Sequence, residues 1–203
     1  MSVARLSRLA LSSISALSSG YPFRKKLAEE NYSFNNSLAE GVTGLIQGQR
    51  NEPVAAMKFG LARLADVGCE IIAVHNAYCL LGKTENFAKT ILDFEQSGLM
   101  MGFGFLGSNP FRIEGYLRRH RASFVECDSL WELSRRLCEN DVFILSFWNK
   151  KYGLHTVCAQ KTQRGIYVYN AKGRALEPCL YKTVGQAFCK SYRFLTSYII
   201  KKI

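Results

Sequence analysis

Gly153-Leu154-His155-Thr156-Val157-Cys158-Ala159, a polar tip Lys161-Thr162-Gln163-Arg164-Gly165, and then Ile166-Tyr167-Val168-Tyr169-Asn170: this stretch decides the fold. Both arms are rich in β-branched and aromatic residues, and the tip carries turn chemistry closed by glycine. Two antiparallel strands are the expected result. Folding about the tip brings the start of one arm beside the end of the other, so His155 and Asn170 are expected nearly opposite each other. An imidazole whose ring is fixed by an amide is half of a nucleophilic site; the other half is a thiol or hydroxyl that it activates.

A thiol stands upstream in Asp66-Val67-Gly68-Cys69-Glu70-Ile71-Ile72-Ala73-Val74-His75-Asn76-Ala77-Tyr78-Cys79-Leu80-Leu81-Gly82. The apolar run of helical length begins after Cys69 and stops at Gly82, a suitable residue for a left-handed cap. Cys69 is therefore expected at a helix N-terminus, where unpaired N–H groups and the helix dipole favour a thiolate. His75 lies on another face of the same helix and is not expected to reach that thiol. His120, in Arg118-Arg119-His120-Arg121, reads as a solvated basic helix end.

A Gly-Cys pair opening a buried helix, then a strand beginning with His and a hairpin partner ending in Asn, resembles the papain-like cysteine peptidases. Within them it is most similar to the compact bacterial branch that includes the C39-like leader peptidases. The resemblance covers the chain from about Pro53 onward. It also uses Gly107-Ser108-Asn109-Pro110 and the strand Val142-Phe143-Ile144-Leu145-Ser146-Phe147-Trp148 before the His. It implies Cys69 as nucleophile, His155 as general base and then acid, and Asn170 as the residue that orients the ring. The substrate implied is a peptide or acyl group, cleaved at an amide or thioester.

Members of that family usually carry a Gln a few residues before the nucleophile, which helps bind the oxyanion. No Gln or Asn occurs at 60–68, and Gln47, Gln49 and Asn51 lie further upstream than the pattern. Loss of one oxyanion donor typically costs about a hundred- to a thousandfold in rate. A weak or inactive papain-like fold acting as a binding module is therefore the alternative expectation.

The 203 residues suit one domain with an added segment, divided here as 1–52, an N-terminal helical extension, and 53–203, the papain-like domain. No apolar run is long enough to span a bilayer. The seven cysteines are scattered with no C-x-x-C pair, which argues against a disulfide framework or a structural zinc. No metal and no cofactor is expected. The odd cysteine count suits a reducing compartment, so a cytoplasmic location is expected. The net charge of +11 is spread along the chain without an RNA-binding or helix-turn-helix signature, so a solvated basic surface is expected rather than a nucleic-acid interface.

At the N-terminus, Leu6, Leu9, Ala10, Ile14 and Leu17 recur at helical spacing. A short amphipathic helix that packs onto the domain or a protein partner is expected there. Residues 25–49 are polar and carry no clear periodicity. Gly102-Phe103-Gly104-Phe105-Leu106-Gly107 matches the dinucleotide fingerprint G-x-G-x-x-G, but no buried strand precedes it, so a packed loop is expected. Helices are expected at 85–96, 111–120 and 129–139, the last opened by the capping pair Ser129 and Glu132. Strands are expected at 122–126, 142–148 and 192–200. The class is α+β, a helical part packed on an antiparallel sheet.

Overall fold

The computed structural model describes residues 8–14, 24–83, 85–149, 153–188 and 192–202. Its elements are α1 (Arg24–Ala39), β1 (Lys58–Phe59), β2 (Ala62–Arg63), α2 (Leu64–Val67), α3 (Cys69–Leu80), α4 (Phe87–Gln96) and α5 (Ile113–Arg119). They continue with β3 (Ser123–Cys127), α6 (Leu130–Arg136), β4 (Val142–Asn149), β5 (Gly153–Thr162), β6 (Gly165–Tyr169), β7 (Cys179–Tyr181), α7 (Val184–Ala187) and β8 (Tyr192–Lys202). Six strands form one antiparallel sheet in the order β3-β8-β4-β5-β6-β7. The fold is α+β, with helices packed on an antiparallel sheet.

The hairpin β5–β6 closes on a tighter turn than the sequence suggested, because Thr162 already pairs with Gly165. The strands carry the expected two-residue period. Ile144 and Cys158 enter the core under α3 and α4, whereas Phe143, Leu145, Val157 and Val168 enter a second core under α6 and α7. A sheet buried on both faces explains why β4 reads as an unbroken apolar run rather than an alternating one.

Helix α3 is buried all round, from Glu70 to Tyr78, and so lacks an amphipathic pattern. Ile71, Ile72 and Val74 have no exposed surface, and each such side chain contributes roughly 1.5–3 kcal/mol by leaving water. The helix stops as expected, at Gly82 with φ +78°. Ser129 Oγ caps α6 by accepting from Glu132 N–H at 3.1 Å, and Glu132 Oε2 reaches one residue beyond the cap, accepting from Asp128 N–H at 2.9 Å. Helix α6 nevertheless ends at Arg136, earlier than expected, because Leu137 turns extended to bury its side chain. Asn109 Oδ1 caps the turn at Pro110–Arg112, which leads into α5. The glycine-rich segment at 102–107 is a loop with a single short turn.

Helix α1 is the main element that the sequence did not announce. Its buried face is Ala28, Asn31, Asn35 and Ala39, half of it amide. Asn31 Nδ2 donates to Gly60 O at 2.8 Å and to Glu95 Oε1 at 2.7 Å. Asn35 grips the Lys58 main chain from both sides, Oδ1 accepting from N–H and Nδ2 donating to O, each at 2.8 Å. Polar residues sit on the inner face because their partners are backbone groups that would otherwise be buried unpaired.

Ala39 and Ile46 share the core with α3 and α4, so the chain on either side of Pro53 contributes to one interior. Residues 8–14 are helical, while Leu6 and Leu17 lie outside the described residues. Arg8 ties that helix to the domain through Glu126 at 2.5 Å and over the Phe111 ring at 5.1 Å. Among the described residues, no helix is long and apolar enough to cross a membrane.

Candidate functional site

The chain enters α3 from α2 through Gly68, which is buried. A Cβ there would lie 2.8 Å from the Leu64 carbonyl oxygen, so only glycine lets the two helical segments pass this closely before Cys69. Cys69 takes the first position of α3, as the sequence indicated.

Its thiol faces β5. Pairing of β5 with β6 stops at Cys158 opposite Tyr169, and beyond that point the Thr156 main chain reaches the Cys69 sulfur. Burial pushes the Cys69 thiol up to about 12, although the N–H groups of Thr156, Glu70 and Cys69 itself pull in the other direction. The expected helix-end activation is therefore outweighed: three N–H groups do not compensate for loss of water around a thiolate.

Next to it, Glu70 is buried, and burial pushes its carboxyl up to about 8. Its Oε1 has no hydrogen-bond partner among the described residues. Burial outweighs the Ser108 hydroxyl that favours the ionised form, and an ionised Glu70 would also disfavour the Cys69 thiolate.

His155 is half-buried near the start of β5. Its Nε2 lies 3.3 Å from the Asn170 main-chain oxygen, and its ring meets Phe147 edge-on, centroids 5.6 Å apart. An Nε2–H donated to that carbonyl leaves the lone pair on Nδ1, which makes Nδ1 the basic nitrogen. Burial pulls the imidazole below its ordinary value, against the opposing Asn170 carbonyl. By strand alternation His155 shares the face of Phe147 and Val157, whereas Thr156 faces α3. Thiol and ring thus approach one open stretch of β5 from opposite faces. No hydrogen bond joins Cys69 Sγ to the ring among the described residues.

Asn170 departs from its expected role in one respect. Its main chain, not its side chain, meets His155. The residue is buried and takes a left-handed backbone, φ +54°, which turns the amide away from the ring. Asn170 Oδ1 accepts from Gln49 N–H at 2.9 Å, its Nδ2 donates to Gln49 Oε1 at 3.3 Å, and its N–H donates to Gln47 Oε1 at 2.9 Å.

Gln47 and Gln49, which the sequence spacing set aside, are therefore part of the site. They belong to a strap, residues 44–51, that runs between α3 and the hairpin. Asn76 of α3 holds Ile46, Gln49 Nε2 donates to Ala65 O at 2.9 Å, and Arg50 N–H donates to Gly173 O at 2.7 Å. Gly48, at φ +69°, passes so near the hairpin's exit that a Cβ would lie 2.5 Å from Ala175 O. Nothing local in the sequence marks this strap except its glycines, because its partners lie far along the chain.

The other two histidines have structural settings. His75 Nε2 lies 3.1 Å from Gly44 O and 3.4 Å from Cys79 Sγ on the same helix, away from Cys69. His120 is not a solvated helix end: it stacks on Tyr116 at 4.2 Å and approaches Asp93 at 3.9 Å. A cavity of about 490 Å³ beside it is lined by Lys89, Asp93, Gln96, Ser97, Arg119 and His120, and by none of Cys69, His155 and Asn170. No protein-family model, no curated protein and no solved structure matches this chain.

Proposed function

We propose that this chain is a papain-like thiol hydrolase, with the C39-like type of fold, acting on an amide or thioester carbonyl of a peptide or acyl substrate. One observation carries the reading. Cys69 opens a buried helix with its sulfur against the Thr156 main chain, adjacent to His155, whose ring is held by Asn170.

The resting pair is a neutral thiol and a neutral imidazole. On attack, the Sγ–C bond forms as Nδ1 of His155 takes the thiol proton. The carbonyl oxygen becomes the oxyanion, with the Cys69 N–H as a donor at the helix end. The imidazolium then protonates the departing amine or thiol as its bond to carbon breaks. Water, deprotonated by the same nitrogen, releases the acid and restores the thiol. Reaching the thiol requires the His155 side chain to swing over the open edge of β5.

A second reading, a papain-like fold retained as a binding module, is favoured by the thiol pushed up to about 12 and by the missing sulfur-to-ring hydrogen bond. Iodoacetamide labelling at neutral pH, mapped by mass spectrometry, separates the two. Under the hydrolase reading Cys69 reacts faster than the other half-buried cysteines, Cys79 and Cys179, and His155→Ala slows it. Equal rates, untouched by the His155 change, leave the binding module.

A further inference from the structure

We infer that Gln49 is a positioning residue for His155, acting through Asn170 and resting on the hydrolase reading above. A continuous chain of hydrogen bonds connects the two residues. His155 Nε2 meets the Asn170 carbonyl at 3.3 Å. That carbonyl is held in place because Asn170 is clamped at three points: Oδ1 by Gln49 N–H, Nδ2 by Gln49 Oε1, and N–H by Gln47 Oε1. The other end of the Gln49 amide donates to Ala65 O, on the helical turn that delivers Cys69.

One buried side chain thus joins the support of the imidazole to the support of the thiol. An amide suits this place because it donates at one end and accepts at the other. A carboxylate cannot donate to Ala65 O, and an apolar side chain can do neither. The left-handed backbone of Asn170, φ +54°, is one that asparagine tolerates, and it turns the side-chain amide toward Gln49 while the carbonyl meets His155.

The consequence is control of the ring's tautomer. While Asn170 O stays in place, the proton is on Nε2 and the basic lone pair on Nδ1. When the clamp is released the carbonyl shifts, both tautomers are populated, and the fraction competent as base falls. Misplacing a positioning group by about 1 Å can lower a rate by up to about a hundredfold.

The experiment uses the full chain and two variants, Gln49→Leu and Gln49→Glu. Two quantities are measured between pH 5 and 9: the ¹⁵N ring signals of His155 and the pH profile of Cys69 alkylation by iodoacetamide. The wild type should show the Nε2–H tautomer. Gln49→Leu should show a tautomer mixture and a Cys69 alkylation rate about tenfold lower, with a profile approaching that of His155→Ala. Gln49→Glu should regain the wild-type tautomer at the acid end, where the protonated acid donates like the amide, and lose it as pH rises. This holds even if the leucine variant does not fold.

An unchanged tautomer in Gln49→Leu, or no pH dependence of the tautomer in Gln49→Glu, overturns the role of Gln49. Cys69 alkylation that ignores His155→Ala in the wild-type background overturns the hydrolase reading instead. The ring signals still judge the clamp in that case.

Discussion

Asn76, fully buried in the middle of α3, holds the main chain of Ile46 on both sides: Oδ1 accepts from Ile46 N–H at 2.8 Å and Nδ2 donates to Ile46 O at 2.9 Å. The strap that carries Gln47 and Gln49 is thereby fastened to the helix that carries Cys69. Asn76→Leu leaves two buried main-chain groups without partners, each at a penalty of about 1–3 kcal/mol. The expected loss is about 3 kcal/mol of unfolding free energy by urea titration. A loss under about 0.5 kcal/mol, as for an ordinary surface change, contradicts the fastening.

Alkylation of Cys69 should keep rising with pH through the neutral range and still be rising at pH 9. Its thiol is pushed up to about 12 by burial, so the thiolate remains a minor species that grows roughly tenfold per pH unit. A plateau between pH 6 and 8 would instead signal a preformed thiolate–imidazolium pair. The same shift makes a stability statement. The folded thiol holds its proton where the unfolded one releases it, so this contribution is intact below about pH 9. It is lost as pH rises from there towards 12.

Glu70→Gln should stabilise the protein at neutral pH. The folded carboxyl, pushed up to about 8 by burial, keeps its proton, whereas the unfolded one ionises above about 4.5. Stability of the wild type therefore falls between those values as pH rises, because the unfolded state releases the proton first. The glutamine variant lacks that slope. Its advantage should be near zero at pH 4 and about 1–3 kcal/mol at pH 7, read from melting curves across the range. A constant difference at all pH values would mean that Glu70 is not the titrating group.

Asn170→Ala should lower stability through the strap and not through the ring alone, because the amide bonds to Gln49 and not to His155. Alanine also strains the left-handed backbone, a penalty of roughly 1 kcal/mol that glycine escapes. Asn170→Gly should therefore melt higher than Asn170→Ala, with both below the wild type. If alanine and glycine variants melt together, the backbone at this position is not left-handed in solution.

Sequence alone determined the parts whose physics is local. The hairpin of β5 and β6 follows from β-branched arms around a turn, and α3 from an apolar run between Gly68 and Gly82. The capping pair Ser129 and Glu132 of α6 was also legible, because donor and acceptor sit within one turn. Tertiary structure alone decided the rest. Helix α1 buries Asn31 and Asn35, whose partners Gly60, Glu95 and Lys58 are distant in sequence, so no apolar period announced it. Spacing placed Gln49 outside the site, and the strap brought it to Asn170. Helix-end chemistry favoured a thiolate at Cys69, and burial reversed that preference. A helix terminus is a property of a few neighbouring residues, whereas the solvent around a sulfur depends on every element packed over it.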